Sequence, residues 1–359
     1  MTSLRRGAGE VQTPLDISAL MRGASSGELV ETLPARWYVD PTIWQRERWP
    51  IFGQSWVLVA YEHQLRNLGD YVTENLAGWP LFIRRTADGL TAFHNLCPHR
   101  AGPIVFDGEG CSKNLVCKYH GWAFNSQGAL LSARDFGGEL PEPMNLTPVQ
   151  VAAWRGMVFV CLDPGAPSLV EWLAEFPPEV AHLPIESYEF HFRSVRRVAC
   201  NWKTYADNFL EGYHVPTTHP AMSRDADAMN YRVEYKGDPR WNIHSMPPRA
   251  GSTFGVFGWF WPTFGFDVFP GGFAVERWLP RDHSHMDLYF EYFFHPDAEG
   301  VEDIVKFSEE VADEDARMCA HVQRNLAAGS YDIGLLSPKW EYPLAVFQRM
   351  VRDAVGPLD

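Results

Sequence analysis

The sequence has few features that would let the protein bind a membrane or a nucleic acid. Its 359 residues contain no run of 18 uncharged apolar residues, so no transmembrane helix is expected. Basic residues number 31 against 45 acidic ones, a formal net charge of −14, and no basic cluster offers phosphates a binding surface. Arg5 and Arg6 are not followed by an apolar segment, so no secretory signal is expected. We expect a soluble protein with no nucleic-acid or membrane partner.

Cysteine is scarce as well, with six residues in the chain. Two of them stand beside histidines, and the other four are scattered without the spacing of a disulfide framework, which favours a cytoplasmic location. Dinucleotide fingerprints and P-loops are missing, so flavin and NAD(P)H are expected on another chain. Apolar residues, in contrast, make up 46% of the sequence. That content predicts a large core and two domains.

The paired histidines and cysteines form the first motif. Cys97-Pro98-His99 is followed by Cys117-Lys118-Tyr119-His120, and two sulfurs with two imidazoles at short spacings indicate a metal site. A structural zinc ion is one interpretation, although zinc pairs usually have two to four residues between their ligands. A single residue separates Cys97 from His99, which suits two neighbouring irons better. The motif therefore favours a Rieske two-iron two-sulfur cluster over zinc.

A second motif lies between Asn201 and Pro220. Asp207, Glu211 and His214 have the spacing of one helical stripe, which predicts a helix over Trp202–Val215. Because Pro216 cannot continue that helix, His219 is expected to return from the following loop. Two histidines at a helix end can meet on one ion, and a non-haem iron site needs two histidines and one carboxylate.

The carboxylate has to come from elsewhere in the chain. A predicted helix from Val301 carries Asp313, Glu314 and Asp315. Its apolar stripe is interpreted as Ile304, Val311, Met318, Val322 and Leu326. At about 100° per residue, Asp315 lies within that stripe, Glu314 lies off it and Asp313 points to solvent. A lone buried carboxylate is costly unless it is paired or binds a metal, so Asp315 is the predicted third ligand.

On these motifs the chain resembles the large subunit of a Rieske non-haem iron oxygenase. The resemblance implies one 2Fe-2S cluster, with Cys97 and Cys117 on one iron and His99 and His120 on the other. It also implies one mononuclear Fe(II) held by His214, His219 and Asp315. It assigns Glu211 to an electron path between a cluster histidine of one subunit and an iron-bound histidine of its neighbour. In most members that residue is Asp, and an exposed helix acid is the alternative.

The family resemblance sets the remaining expectations for the site and its partners. Asp207 and Asn208 are candidates for contacts around the iron. The family also implies a separate flavin or ferredoxin-type reductase, dioxygen and a small molecule as partners, and a homotrimer with electron transfer between subunits.

The fold class predicted is α+β, in two parts. Short β-rich runs separated by turns predict an antiparallel β domain, the Rieske domain, at residues 45–164. A breaker-rich segment at Asp163–Ser168 ends it. Residues 165–359 are expected to form the catalytic domain, which the family resemblance identifies as an antiparallel sheet gripping helices. Residues 1–44 are expected to be an N-terminal arm and helix that pack on the catalytic domain, with a possible short helix at Asp16–Arg22.

The second motif also bears on the substrate. The segment from Asp207 to Pro220 looks more like the choline, betaine and carnitine branch of the family than the naphthalene-type dioxygenases. This favours hydroxylation or N-demethylation of a quaternary ammonium compound, with aromatic-ring hydroxylation as the alternative. Nine aromatic residues between Phe254 and Phe273 are expected to be mostly sheet core, with some lining the pocket. An electron-transfer protein without oxygenase activity, and a zinc-bound interaction module, are the hypotheses from other functional classes.

Overall fold

The computed structural model of the protein describes residues 29–140, 142, 144–173, 183–235, 237–249 and 256–358. The helix predicted at Asp16–Arg22 lies outside these residues. The described chain consists of two seven-stranded antiparallel sheets, two smaller sheets and the helices that pack on them. This architecture confirms the predicted α+β class.

The described chain begins with a short strand and two helices. They are β1 (Val30–Glu31), α1 (Arg36–Val39) and α2 (Pro41–Glu47), and α2 continues as π-helical turns over Arg48–Gly53. The Asp40 side chain accepts a hydrogen bond from the Thr42 backbone N–H at 2.7 Å, and Pro41 occupies the first turn. Asp followed by Pro at these positions predicts a helix cap and a helix start, and the structure confirms both. The widening into π turns coincides with Pro50, which has no N–H for an α-helical bond.

The front half of the chain forms the first large sheet, which we call the front sheet. The strands of this half are β2 (Val57–Tyr61), β3 (Asp70–Leu76), β4 (Trp79–Thr86), β5 (Gly89–His94), β6 (Glu109–Cys111), β7 (Leu115–Val116), β8 (Ala123–Phe124), β9 (Leu130–Ser132), β10 (Pro148–Trp154) and β11 (Met157–Cys161). In the front sheet, neighbouring strands follow the order β2-β11-β10-β5-β4-β3-β6, and β7, β8 and β9 form a separate three-stranded sheet. The sequence Ala87-Asp88-Gly89 predicts a hairpin turn. The structure confirms it, because the two-residue turn of Ala87 and Asp88 joins β4 to β5, with Gly89 at a positive φ.

The strands of the second large sheet, the back sheet, are β12 (Glu189–Val198), β13 (Arg232–Glu234), β14 (Trp241–Ser245), β15 (Val256–Phe260), β16 (Phe264–Phe269), β17 (Gly272–Pro280) and β18 (Met286–Phe294). Neighbouring strands follow the order β12-β18-β17-β16-β15-β14-β13. The helices of this half are α3 (Leu169–Trp172), α4 (Trp202–Phe209), α5 (Val215–Thr218), α6 (Met222–Asp225), α7 (Val301–Ala327) and α8 (Tyr342–Val355). Helices α4 and α7 pack together, α4 against β17 and α7 against β12. A last short strand, β19 (Leu335–Leu336), pairs with β1.

The two halves share a continuous core. One hydrophobic cluster contains buried residues of both, such as Val57 and Leu81 from the front sheet and Trp278 and Leu288 from the back sheet. Buried polar contacts also cross between them: the Tyr61 hydroxyl donates to Glu291 at 3.0 Å. The predicted boundary near residue 164 falls between the last strand of the front sheet and the first strand of the back sheet, and the division into domains stays a prediction.

One predicted helix is shorter than expected. The helix from Trp202 ends at Phe209 rather than at Val215, so Asp207, Glu211 and His214 do not form one helical stripe. The physical reason lies in the Glu211 carboxylate, which accepts hydrogen bonds from the backbone N–H groups of Tyr213 and His214. A side chain that satisfies these groups locally competes with the helix.

Candidate metal centres and substrate cavity

Two similar loops bring the front cysteines and histidines together. In the first loop, the Cys97 N–H donates to the Gly102 carbonyl at 2.8 Å. In the second, the Cys117 N–H donates to the Trp122 carbonyl, also at 2.8 Å. Gly121 adopts a left-handed conformation with φ of 74°, which lets the chain turn back within so few residues. Matching loops therefore present one Cys–His pair each.

The space between these loops is shaped for a bound group. Both cysteines are buried, and the Trp122 ring stacks on His99 with centroids 4.8 Å apart. A Cβ atom at Gly102 would lie 2.6 Å from the Tyr119 Cβ and 3.0 Å from the Cys117 Sγ. Only glycine can occupy that position without moving its neighbours.

The donor atoms fit a two-iron cluster better than a single ion. The Nδ1 atom of His99 is buried and has no hydrogen-bond partner among the described residues, as expected for an atom reserved for a ligand. Four zinc ligands would all lie within about 4.6 Å of one another, since zinc bonds are about 2.0–2.3 Å long. Within the described part of the chain, no three ligand atoms of these four side chains meet a 4.8 Å limit. This geometry argues against zinc.

The second group combines His214, His219 and Asp315. One ligand atom from each lies within 4.8 Å of the other two. The His219 Nε2 is 2.9 Å from the Asp315 Oδ1, and the His214 Nε2 is 3.7 Å from the same oxygen. The two rings are nearly perpendicular, with centroids 5.1 Å apart. The structure thus brings together the two histidines and the carboxylate that the sequence singled out, in the arrangement that non-haem iron requires.

A four-residue helix sets the distance between the two histidines. His214 immediately precedes α5 and His219 immediately follows it. Pro216 lies in the first turn, where its missing N–H costs no hydrogen bond. His219 therefore does return after the proline, as predicted, but from the end of a new helix rather than from a loop.

A carboxylate stands behind each histidine. The Glu211 Oε1 is 2.6 Å from the His214 Nδ1, and the Glu314 Oε2 is 2.7 Å from the His219 Nδ1. With both Nδ1 atoms engaged, both Nε2 atoms are left to face Asp315. Burial alone would lower the pKa of His219, but the bonds to Asp315 and Glu314 raise it. The site thus attracts positive charge.

Asp315 was preferred to Glu314 as a ligand from the sequence, and the contact between Glu314 and His219 was not predicted. The predicted apolar stripe of α7 is partly wrong. Met318 and Val322 are exposed, and the buried face of α7 contains Ser308, Ala312, Cys319 and Gln323. Asp315 lies along that buried face. The choice of Asp315 therefore agrees with the structure, whereas the predicted apolar stripe does not.

Asn208 and Asp207 point in different directions. The Asn208 side-chain amide donates to the Asp315 Oδ1 at 2.8 Å and lines the cavity beside the metal group. Asp207 instead accepts hydrogen bonds from the Tyr38 hydroxyl at 2.6 Å and from Gln348 at 3.0 Å. Burial raises the pKa of Asp207 to about 7. Its contacts join α4 to α1 and α8, away from the metal group.

A cavity of about 380 Å³ opens onto the metal group. Of the nine aromatic residues expected in the sheet, Phe257 and Phe269 line it, Phe254 lies outside the described residues, and the other six are not part of its lining. Four acids outside the metal group and its supports also line the cavity. The rings and acids of the lining include Phe209, Tyr231, Phe257, Phe269, Phe290, Phe307, Asp225, Asp267, Glu276 and Asp303.

Comparison with known proteins agrees with both centres. Residues 55–141 match the Rieske [2Fe-2S] domain family, and residues 185–356 match the family described as ring hydroxylating alpha subunit (catalytic domain). The carnitine monooxygenase oxygenase subunit of Escherichia coli K12 is 31% identical over 84% of this chain and 85% of its own length. The chain belongs to the Rieske non-haem iron oxygenases. As a member it is an oxidoreductase with a 2Fe-2S cluster and a mononuclear iron, and works with a separate reductase.

Further relatives of this Rieske oxygenase support the same assignment. The chloroplastic choline monooxygenase of Spinacia oleracea is 30% identical over 86% of the chain and 74% of its own length. The crystal structure of the quaternary ammonium Rieske monooxygenase CntA with L-carnitine superposes with a TM-score of 0.81, at 26% identity, covering 93% of this chain and 98% of that one. A naphthalene 1,2-dioxygenase from a Rhodococcus species, at 18% identity and a TM-score of 0.71, shares the fold. Among the helices described, none is long and apolar enough to cross a membrane.

Proposed function

We propose that this oxygenase component hydroxylates or N-demethylates a quaternary or methylated ammonium compound, with O₂ and electrons from its reductase. The observation that carries the proposal is the cavity, where two buried acids, Asp267 and Glu276, stand among aromatic rings on the same cavity as His214, His219 and Asp315. Carboxylates and ring faces together attract a cation that cannot donate hydrogen bonds. The named activities of the carnitine and choline relatives support the same substrate class.

The roles of the metal ligands belong to the same proposal. Cys97 and Cys117 would hold one iron of the cluster, and His99 and His120 the other. The mononuclear iron would be held by His214, His219 and Asp315. When bound, this iron supplies the site at which O₂ is reduced. Asn208 orients the Asp315 carboxylate through its 2.8 Å hydrogen bond.

Glu211 is proposed to connect the two kinds of centre. Its carboxylate is buried and bonded to the His214 Nδ1, while His120 at the front loops is partly exposed and so can be reached by another subunit. An electron path from the cluster of one subunit through Glu211 to the iron of the next requires an assembly, which we propose to be a homotrimer. Inter-subunit electron transfer in a quaternary ammonium Rieske monooxygenase of the same fold, with a TM-score of 0.82, supports this path. We place the protein in the cytoplasm, since none of its six cysteines forms a disulfide.

Metal analysis and oxygen uptake test this proposal. The purified holoprotein should contain three irons per chain, and a Rieske electron carrier without an oxygenase centre would contain two. With a reductase or a surrogate donor, choline or carnitine should accelerate O₂ uptake and yield hydroxylated or demethylated product. Acceleration by an aromatic acid, with no response to either ammonium compound, would contradict the substrate class and favour ring hydroxylation.

A further inference from the structure

We propose that the cavity selects a cation without an anionic arm, an amino alcohol of the choline type, over zwitterions such as carnitine and γ-butyrobetaine. This inference rests on the proposed function, because it concerns the substrate of the same site. It adds that the substrate carries no anionic group at the end away from its ammonium group.

The buried wall of the cavity is acidic. Asp267 lies on β16 and Glu276 on the neighbouring strand β17, and their exposed fractions are 6% and 4%. The Glu276 carboxylate accepts a hydrogen bond from the Tyr205 hydroxyl. No described residue donates a hydrogen bond to the Asp267 carboxylate. Burial raises the pKa of both acids, that of Asp267 to about 7. A cation that enters beside them therefore stabilises their charged forms.

The outer part of the cavity is acidic as well. Asp225 ends α6 and Asp303 lies in the first turn of α7, and both line the cavity with exposed side chains. The described lining therefore carries carboxylates at buried and at exposed positions.

The described lining of the cavity contains no Lys or Arg that could balance these acids. The positive charge of Arg196 acts on Glu276. Its guanidinium group, however, is already held by Glu309 at 2.7 Å and Asp313 at 2.6 Å. Apart from the proposed iron and the histidines that would hold it, a substrate carboxylate would find no cationic partner among the described residues of the lining.

The cavity is therefore expected to discriminate between ligands by their charge. An ammonium group gains from the acids and the aromatic faces, whereas a carboxylate on the same molecule is repelled by them and loses its hydration. A hydroxyl at that position loses little, because the acids can accept its hydrogen bond. We expect choline to bind at least about tenfold more tightly than carnitine or γ-butyrobetaine, the ratio that corresponds to about 1.4 kcal/mol.

Calorimetric titration of the oxidised holoenzyme, without reductase, measures this ratio. Choline, carnitine and γ-butyrobetaine are each titrated at the same pH and ionic strength. Tighter binding of choline by tenfold or more supports the inference. Equal or tighter binding of the zwitterions overturns it and leaves the proposed function standing. If none of the three binds, the proposed ammonium substrate is wrong, and the inference fails with it.

A variant tests whether Asp267 is responsible for this discrimination. Asp267→Asn should weaken choline binding and reduce the preference over carnitine several-fold, while Asp88→Asn in the exposed hairpin turn should change neither. A preference that is unchanged in Asp267→Asn would contradict the assigned residue. Should that variant not fold, the ratio measured on the unmodified holoenzyme still decides the inference.

Discussion

The two metal regions differ in how the chain builds them. The front site takes its four proposed ligands from two similar loops within residues 97–120, and each loop has backbone hydrogen bonds between its own residues. The back site draws His214 and His219 from the two ends of a short helix and Asp315 from α7, about a hundred residues later. Short-range spacing therefore defines the front site, whereas packing of α4 against α7 assembles the back site.

The largest expected effect separates the two regions. Replacing His219 by Ala should remove the mononuclear iron and lower turnover by at least about 10³-fold, because one of three ligands is lost. Since the front loops do not depend on His219 for their backbone hydrogen bonds, the visible spectrum of the cluster should persist. Metal analysis should then give two irons per chain. Loss of the cluster spectrum as well would show that the two sites are not built independently.

A second change addresses the connection between the regions. Glu211→Gln keeps the side-chain length but removes the carboxylate charge on His214, and it should slow turnover by about 10²-fold or more. Because Glu211 also contacts the His214 ring, the variant is loaded with excess iron, and both metal centres should then remain, with three irons per chain. Stopped-flow oxidation of the reduced cluster in the presence of substrate and O₂ measures the effect directly. Unchanged cluster oxidation would remove Glu211 from the electron path.

A third change affects the back site alone. Glu314→Gln should weaken iron binding by about 10-fold to 100-fold, since the carboxylate that fixes the His219 ring is lost. Iron affinity is read by competition with a chelator. Glu310→Gln, at an exposed position one turn earlier on α7, is the matched control and should bind iron as the parent does. Equal iron affinities in the two variants would show that Glu314 does not contribute to iron binding.

The smallest expected effect concerns stability. Asp207 holds its proton up to a pKa of about 7 in the folded chain, against 3.8 in the unfolded one. Between these values the folded state binds more protons, so this group lowers the free energy of unfolding as pH rises from about 4 to about 7. Asp207→Asn should remove that loss, on the order of 1–4 kcal/mol. Thermal midpoints of variant and parent between pH 5 and pH 8 should diverge as pH rises, and parallel curves would contradict the prediction.

The sequence allowed much of the front half to be predicted because its signals are local. Two metal loops, a hairpin turn and a capped helix each depend on residues within a few positions of one another. The back half was predicted less well. The helix beyond Phe209 was wrong because a single carboxylate, Glu211, satisfies the backbone there, and helical spacing contains no information about that competition.

The acids of the cavity were missed, although a signal was available. Asp267 interrupts the sequence of β16 and Glu276 interrupts that of β17, both otherwise rich in apolar residues. The argument that selected Asp315, that an acid in an apolar segment needs a partner, applies equally to them. Glu314 offered no such signal, because its contact with His219 depends on how α5 and α7 pack.

The buried contacts between the two sheets limit how this architecture can be recombined. Tyr61 of the front sheet bonds to Glu291, which is also paired with Arg277 at 2.8 Å. A chimera that received its front half from a relative would have to bring a matching hydroxyl to that position, or leave a buried ion pair short of one donor. The front and back halves therefore cannot be exchanged freely between relatives. A chimera has to retain both the front and the back residues of this contact.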